Sequence, residues 1–383
     1  MTSTPNAAPA RRQRVYLVGY YGVANLGDEA IRHAIERAAR LLDVDVVAFA
    51  SRSADPDPRA VRTGFRNLQD QVRAIRGVDR VVLGGGGILK DEGLRLPLEL
   101  LATAGVARLA GKRVTLLGVG VGPFYRRLGR LLVAAVARLS HVRTVRDAAS
   151  AAALRELGVG RVLTGADPIF STDSGPDGHP TRTPNGTAAA PADAGTRAVV
   201  SIRPWFHKLD EPAREAAIGA LRAGLARGLK PLVAAGWSLD LVALYWPRDR
   251  DAAADLRDAL DVDASPGEQR DLVHVAAGPT DWDGLGAAVG VADLVVAMRY
   301  HAVAAAALAG RPTVAIAYEP KVASLAADLA VQAIAVDDPE LGSTLAAMTT
   351  AAAAGRLPAP PDEAAIQALR DRSWAAIRAA LLD

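Results

Sequence analysis

The chain is 383 residues long, half of them hydrophobic but only 4% aromatic, with 45 Lys and Arg against 42 Asp and Glu for a net charge of +3. Such a length and an aliphatic core of Ala, Val, Leu and Gly suit two α/β domains and argue against an all-β sandwich. The absence of cysteine removes disulfides, thiolate metal sites and thiol nucleophiles; with no lysine-rich run or basic stripe carrying aromatics, no nucleic acid is expected as partner.

Residues 1–14 are polar, hold two prolines and lack the apolar centre of a signal peptide, so they read as a disordered N-terminus. No apolar run reaches the length of a membrane span, and a soluble cytoplasmic protein is the expectation. A strand at 15–18 ends in Gly19-Tyr20-Tyr21-Gly22, and 28–42 has helical periodicity through Ala30, Ile31, Ala34, Ile35, Ala38 and Leu41. Strands at 44–50, 80–83 and 114–117 follow, the one at 80–83 leading into Gly84-Gly85-Gly86-Gly87, with a helix at 96–110. Alternation of strand, glycine loop and helix predicts a parallel, doubly wound sheet over 15–170.

Between 171 and 197 the composition shifts to Ser, Thr, Asp, Gly, Pro and Ala, a linker or flexible loop. The alternation then restarts, with strands at 198–202, 230–235, 272–275, 294–297 and 313–317, and helices at 211–227, 250–260, 282–289 and 302–309. This gives a second Rossmann-like domain over 198–338, facing the first across a cleft. Helices at 339–354 and 361–382, in the 339–383 tail, are expected to cross back and brace the first half.

The densest chemistry is Met298-Arg299-Tyr300-His301 followed by Tyr318-Glu319-Pro320-Lys321. Two apolar strands deliver these residues to their carboxyl ends, the edge where ligands bind in open α/β sheets. Two cations and an imidazole there suit a small, multiply charged anion. Arg203, before Pro204 at another strand end, is well placed to join them, with His207 rimming the cleft. Gly84 to Gly87 reads either as a tight turn or as a loop offering amides to an anion, through Gly85 and Gly86. Asp28 reads first as a helix cap; Tyr20 and Tyr21 are harder to explain by capping. Adjacent Arg146 and Asp147 read as a surface ion pair. No His/carboxylate cluster has metal-ligand spacing, and no dinucleotide, P-loop or nucleophile-elbow motif is present.

Together, Gly19-Tyr20-Tyr21-Gly22 through Asn25, Gly27-Asp28-Glu29-Ala30, the glycine loop through Lys90-Asp91, Arg203-Pro204-Trp205 and the two C-terminal motifs resemble the polysaccharide pyruvyltransferase family. The nearest branch is the CsaB type, which pyruvylates a secondary cell-wall polymer that anchors S-layers. The resemblance runs from about Val15 to Leu325. It implies a GT-B-like fold and transfer of pyruvate from phosphoenolpyruvate, with no cofactor, to two sugar hydroxyls as a ketal. It implies that Arg203, His301 and Lys321 handle phosphoenolpyruvate, that Arg146 and a tyrosine of the first loop join the site, and that Asn25, Asp28, Gly85, Gly86 and Arg299 border it. Tyr300, Glu319 and the long 171–197 insert depart from the family pattern.

Within that resemblance His301 is the candidate general acid, its ordinary pKa lying near working pH, and Lys321 stabilises the departing phosphate or shares the proton transfer. A lipid-linked acceptor would add transient contact with the inner membrane face. Two rivals stand beside this reading: a GT-B glycosyltransferase using a nucleotide sugar, with Glu319 on the ribose, and a polymer-binding module without catalysis.

Overall fold

The computed structural model describes residues 11–176, 195–204, 210–261, 272–276 and 278–383; Trp205, His207 and most of the 171–197 insert lie outside them. Two all-parallel sheets form the scaffold. The first holds β1 (Gln13–Val18), β2 (Val44–Ser51), β3 (Ala60–Arg62), β4 (Arg80–Gly84), β5 (Arg113–Val119), β6 (Val142–Val145) and β7 (Leu163–Thr164), in the order β3-β2-β1-β4-β5-β6-β7. The second holds β8 (Arg197–Ser201), β9 (Ser238–Val242), β10 (Val273–Ala276), β11 (Leu294–Ala297), β12 (Thr313–Ala317) and β13 (Gln332–Ala335), in the order β10-β9-β8-β11-β12-β13.

In both sheets the order of strands reverses beside the first strand, between β1 and β4 and between β8 and β11. Crossovers leave such a switch point on opposite faces, so the loops beyond those strand ends open a crevice. Each central strand is buried along its length, as in Val-Val-Leu of β4 and Leu-Val-Val-Ala of β11, the continuous apolar pattern of a sheet covered on both faces.

Helix α1 (Leu26–Leu41) follows β1, and its N-terminus reaches the second half. The Leu26 amide donates to the Leu244 carbonyl at 3.0 Å, and Asn25 forms an antiparallel bridge with Tyr245. Leu26, Ala30 and Ala34 of α1, with Ile169 and Phe170, belong to the same apolar core as β8, β11 and α9 (Tyr300–Leu308). Burial of this kind of surface contributes about 25 cal/mol per Å², so the floor of the cleft is a packed joint.

Several expected boundaries shift. Strand β1 begins at Gln13, inside the span read as disordered. The 171 end of the insert is built in: Ser171 and Ser174 are buried, and their carbonyls accept from Arg37 at 2.9 and 3.0 Å. The strand expected at 230–235 is instead the end of α6 (Glu211–Ala234). Its apolar run is a helical face, with Leu225, Leu229, Leu232 and Val233 buried, and Pro231 is accommodated within the helix. Gly228 lets α11 (Leu341–Ala353) approach, since a Cβ there would lie 2.5 Å from Leu345.

That contact also corrects the bracing role of 339–354: α11 packs on α6 and stays with the second half. Only α12 (Glu363–Leu381) returns to the first sheet. There Trp374 is buried and donates to Ser174 Oγ at 2.9 Å, and the Ala380 carbonyl accepts from Arg80 Nη1 at 2.6 Å and Thr115 Oγ1 at 3.1 Å.

Candidate active site

A cavity of about 860 Å³ occupies the crevice between the two switch points. Its walls carry nine Lys and Arg side chains, residues 52, 90, 95, 146, 203, 214, 248, 299 and 321, against two carboxylates, Asp28 and Glu92. A low-dielectric cleft lined by one sign of charge concentrates ligands of the other. Among the described residues no group of three or more His, Asp or Glu is arranged to hold a metal ion.

His301, in the first turn of α9, sits against the start of α1. A Cβ on Gly27 would lie 2.1 Å from His301 Nδ1, so only glycine leaves room for the ring. The Nε2 atom is screened from solvent and finds no hydrogen-bond partner among the described residues. Burial in the cleft, then Arg146, Lys321 and Arg299, push the imidazole pKa down to about 3. The ring is therefore neutral at ordinary pH, which removes the premise that its ordinary pKa makes it a ready acid.

Asp28 moves the other way. The cap position belongs to Asn25, whose side chain makes no capping bond, and Asp28 lies in the first turn, accepting from Asn25 Nδ2 at 2.5 Å. The capping role expected of Asp28 is thus absent. Burial raises its pKa to about 6 against the pull of Asn25, Lys90 and Lys321, so the carboxyl can hold or release a proton near neutrality.

Arg146 crosses the cleft. Its guanidinium stacks over Tyr300 at 4.9 Å, and its Nε donates to Asp147 Oδ2 at 3.2 Å. Both partners of that bond are buried, so it is not the surface pair expected. Asp167, buried behind Arg146 Nη1 at 3.7 Å, has its pKa raised to about 6 by burial despite Arg146. Arg203 stacks on Tyr318 at 4.9 Å and donates to its hydroxyl at 2.8 Å. Lys321 pairs with Glu319 and lies 5.4 Å from the Tyr318 ring centre. Although burial opposes it, Lys321 and Arg203 hold the Tyr318 phenol below its usual pKa.

Three expected site residues take other roles. Tyr20 is 37% exposed, lines the cavity and lies under Arg52 at 4.7 Å, whereas Tyr21 is 1% exposed and donates to the Gly84 carbonyl at 2.8 Å. The phenol of Tyr21 is used in the core because Gly19 leaves space for its ring. Gly85 is also structural: φ is +69°, a Cβ would collide with Ile31, and its amide donates to Leu117 at 2.8 Å. Gly86 does line the cavity. Arg299 lines it too but is held by Asp249, donating through Nε at 2.9 Å and through Nη2.

Asp249, Tyr318, Arg52 and Lys90 are among the residues outside the sequence-based set. Lys90 and Tyr318 stand inside motifs quoted for the resemblance and were readable there. Arg52 directly follows the end of β2, the same strand-end signal that marks Arg203. Asp249 carries no such signal, because its partner is 50 residues away.

Two parallel doubly wound domains around a central cleft define the GT-B-like class. Solved structures of that class superpose along the chain at low identity. They include UDP-GlcNAc 2-epimerase from Methanocaldococcus jannaschii (TM-score 0.53, 12% identity, 88% of this chain and 92% of that one). The S. aureus MnaA–UDP structure gives a TM-score of 0.57 at 10% identity, covering 96% and 94%. An alpha-glucosyltransferase in complex with UDP and DNA gives 0.50 at 9% identity, covering 96% and 95%. No curated protein sequence matches the chain. The polysaccharide pyruvyl transferase family model matches residues 25–320, and the chain belongs to that family of transferases.

Proposed function

We propose that the protein transfers pyruvate from phosphoenolpyruvate to two hydroxyls of one sugar in a cell-surface polysaccharide or its lipid-linked precursor, forming a ketal. The observation that carries this reading is the strongly basic cavity lined by neutral His301, protonatable Asp28 and Lys321, in a chain of the polysaccharide pyruvyl transferase family. Phosphoenolpyruvate brings a carboxylate and a phosphate, and Arg203, Lys90 and Lys321 are the cations that would hold them.

In the reaction, a proton adds to the methylene carbon, converting it to a methyl group, while the first sugar hydroxyl bonds to C2. The C2–O bond to phosphate then breaks, and the second hydroxyl closes the ketal. Of the two hydroxyl protons, one replaces the proton given to carbon and the other leaves on inorganic phosphate. Asp28 is the proposed acid at carbon and neutral His301 the proposed base toward the hydroxyl. Lys321 is the proposed partner of the departing phosphate. Arrival of a trianion would also raise the proton affinity of His301, allowing it to return a proton later in the cycle.

The reaction is proposed to run in the cytoplasm at the inner membrane face, on a CsaB-type acceptor. Incubation with phosphoenolpyruvate and polymer fragments tests it, expecting inorganic phosphate and a product heavier by one pyruvate ketal. Turnover of a nucleotide sugar with none of phosphoenolpyruvate would establish the glycosyltransferase alternative instead; binding of polymer without turnover of either would leave a binding module.

A further inference from the structure

Three of the exposed large apolar side chains fall together at the start of one helix. Tyr125 is 52% exposed, Leu128 50% and Leu131 65%; the two leucines lie three apart on α4 (Arg127–Leu139) and so share a stripe, and Tyr125 stands two residues before its first turn. Arg126, Arg127 and Arg130 are exposed between them, and residues 124–139 contain four arginines and no Asp or Glu. The inward face of the same helix, Leu132, Val133, Val136 and Ala137, is buried, so packing accounts for the rest of its large apolar residues but leaves Leu128 and Leu131 in solvent.

The stripe is rigidly joined to the cavity rim. Asp91 is buried, and its carboxylate accepts from the Tyr125 and Arg126 amides at 2.7 and 2.6 Å. The helix presses on the same carboxylate, since a Cβ on Gly129 would lie 2.3 Å from Asp91. Lys90 and Glu92, on either side of Asp91, line the cavity. Whatever holds the stripe therefore also fixes the position of the cavity mouth.

We infer that the start of α4 is a docking surface for an anionic lipid membrane, with Leu128, Leu131 and Tyr125 entering the headgroup boundary and Arg127 and Arg130 facing acidic lipid. Apolar side chains flanked by arginines, without carboxylates, complement a surface that is negatively charged above a hydrocarbon layer. A second copy of the chain would present the same arginines to each other and is opposed by charge. The inference deepens the proposed reaction by saying how a lipid-linked sugar would be offered to the cavity, and rests on that reading only for this purpose.

The test is co-sedimentation of the full chain with vesicles, of phosphatidylcholine alone or of equimolar phosphatidylcholine and phosphatidylglycerol. The protein is expected to pellet with the mixed vesicles and stay in solution with the neutral ones. Arg127→Gln with Arg130→Gln should weaken the partition roughly 30-fold, each basic side chain contributing about fivefold near an acidic surface. Leu128→Ser with Leu131→Ser should weaken it comparably, and both pairs should keep the wild-type circular dichroism and phosphate release on a soluble acceptor. Binding that survives both double substitutions, or no binding to mixed vesicles, overturns the inference. So does a wild-type dimer in light scattering that becomes a monomer in the leucine variant with vesicle binding unchanged. Vesicle binding without any phosphoenolpyruvate turnover would sink the proposed reaction and leave the docking surface standing.

Discussion

Gly27 and His301 occupy each other's space: the ring of the second half fills the volume that a side chain on the first half would need, 2.1 Å from the hypothetical Cβ. The catalytic histidine of the proposed reaction is thus positioned by a helix of the opposite domain. Gly27→Ala is expected to displace the ring and lower kcat at least tenfold, with a smaller change in KM for phosphoenolpyruvate. Steady-state kinetics check this, and wild-type kcat would separate His301 from the chemistry.

His301 also sets an acid limit. Its folded pKa of about 3 lies below the unfolded value near 6.5. Between these the unfolded chain binds a proton that the folded chain does not, so stability falls as pH drops from about 6.5 toward 3. His301→Gln should flatten this part of the profile of Tm against pH relative to wild type. Parallel profiles for the two proteins would contradict it.

Asp28 has the opposite sign, being raised to about 6. Its burial is tolerated while protonated, and stability is lost as pH rises through about 4 to 6. Asp28→Asn should therefore stabilise the protein by about 3 kcal/mol at pH 8, with no difference at pH 3, while abolishing phosphate release. Denaturant titrations at the two pH values read the first effect and the phosphate assay the second.

Arg299 and Asp249 form a buried pair, and removing one member leaves the other charge unpartnered. Asp249→Ala is expected to cost about 3–5 kcal/mol; the double change Asp249→Leu with Arg299→Met should recover much of that stability and show whether Arg299 has any duty toward substrate. Urea unfolding and phosphate release together separate the two roles.

The adjacent tyrosines should behave unlike each other. Tyr21→Phe loses the bond to the Gly84 carbonyl and about 1 kcal/mol of stability, with turnover retained. Tyr20→Ala leaves the core intact and should raise KM for the sugar acceptor severalfold, a difference that paired kinetics and thermal unfolding resolve.

Much of this arrangement was legible in the chain because strand ends announce themselves. Leu294 to Ala297 and Thr313 to Ala317 are read directly from their apolar runs, and the cations after them follow. What is hidden depends on distant partners. Nothing local distinguishes Tyr20 from Tyr21, since the Gly84 carbonyl that claims one of them lies 63 residues on. The run at 230–235 looks like a strand because its burial comes from α11, more than a hundred residues later. His301 stands out in its motif, but its lowered pKa does not, because the burial and the Arg146 charge behind it come only with the fold.

The return of α12 to the first sheet has a consequence for exchanging parts between relatives. With Trp374 and Ala380 in its core, the first half is assembled from two separated stretches, roughly 11–176 and 363–381. A chimera cut once, in the 177–194 insert, would give the first half a foreign closing helix. The first half can be exchanged as a module only if the last twenty or so residues travel with the first stretch, so the recombinable unit is a sandwich around the second half and not its N-terminal neighbour alone.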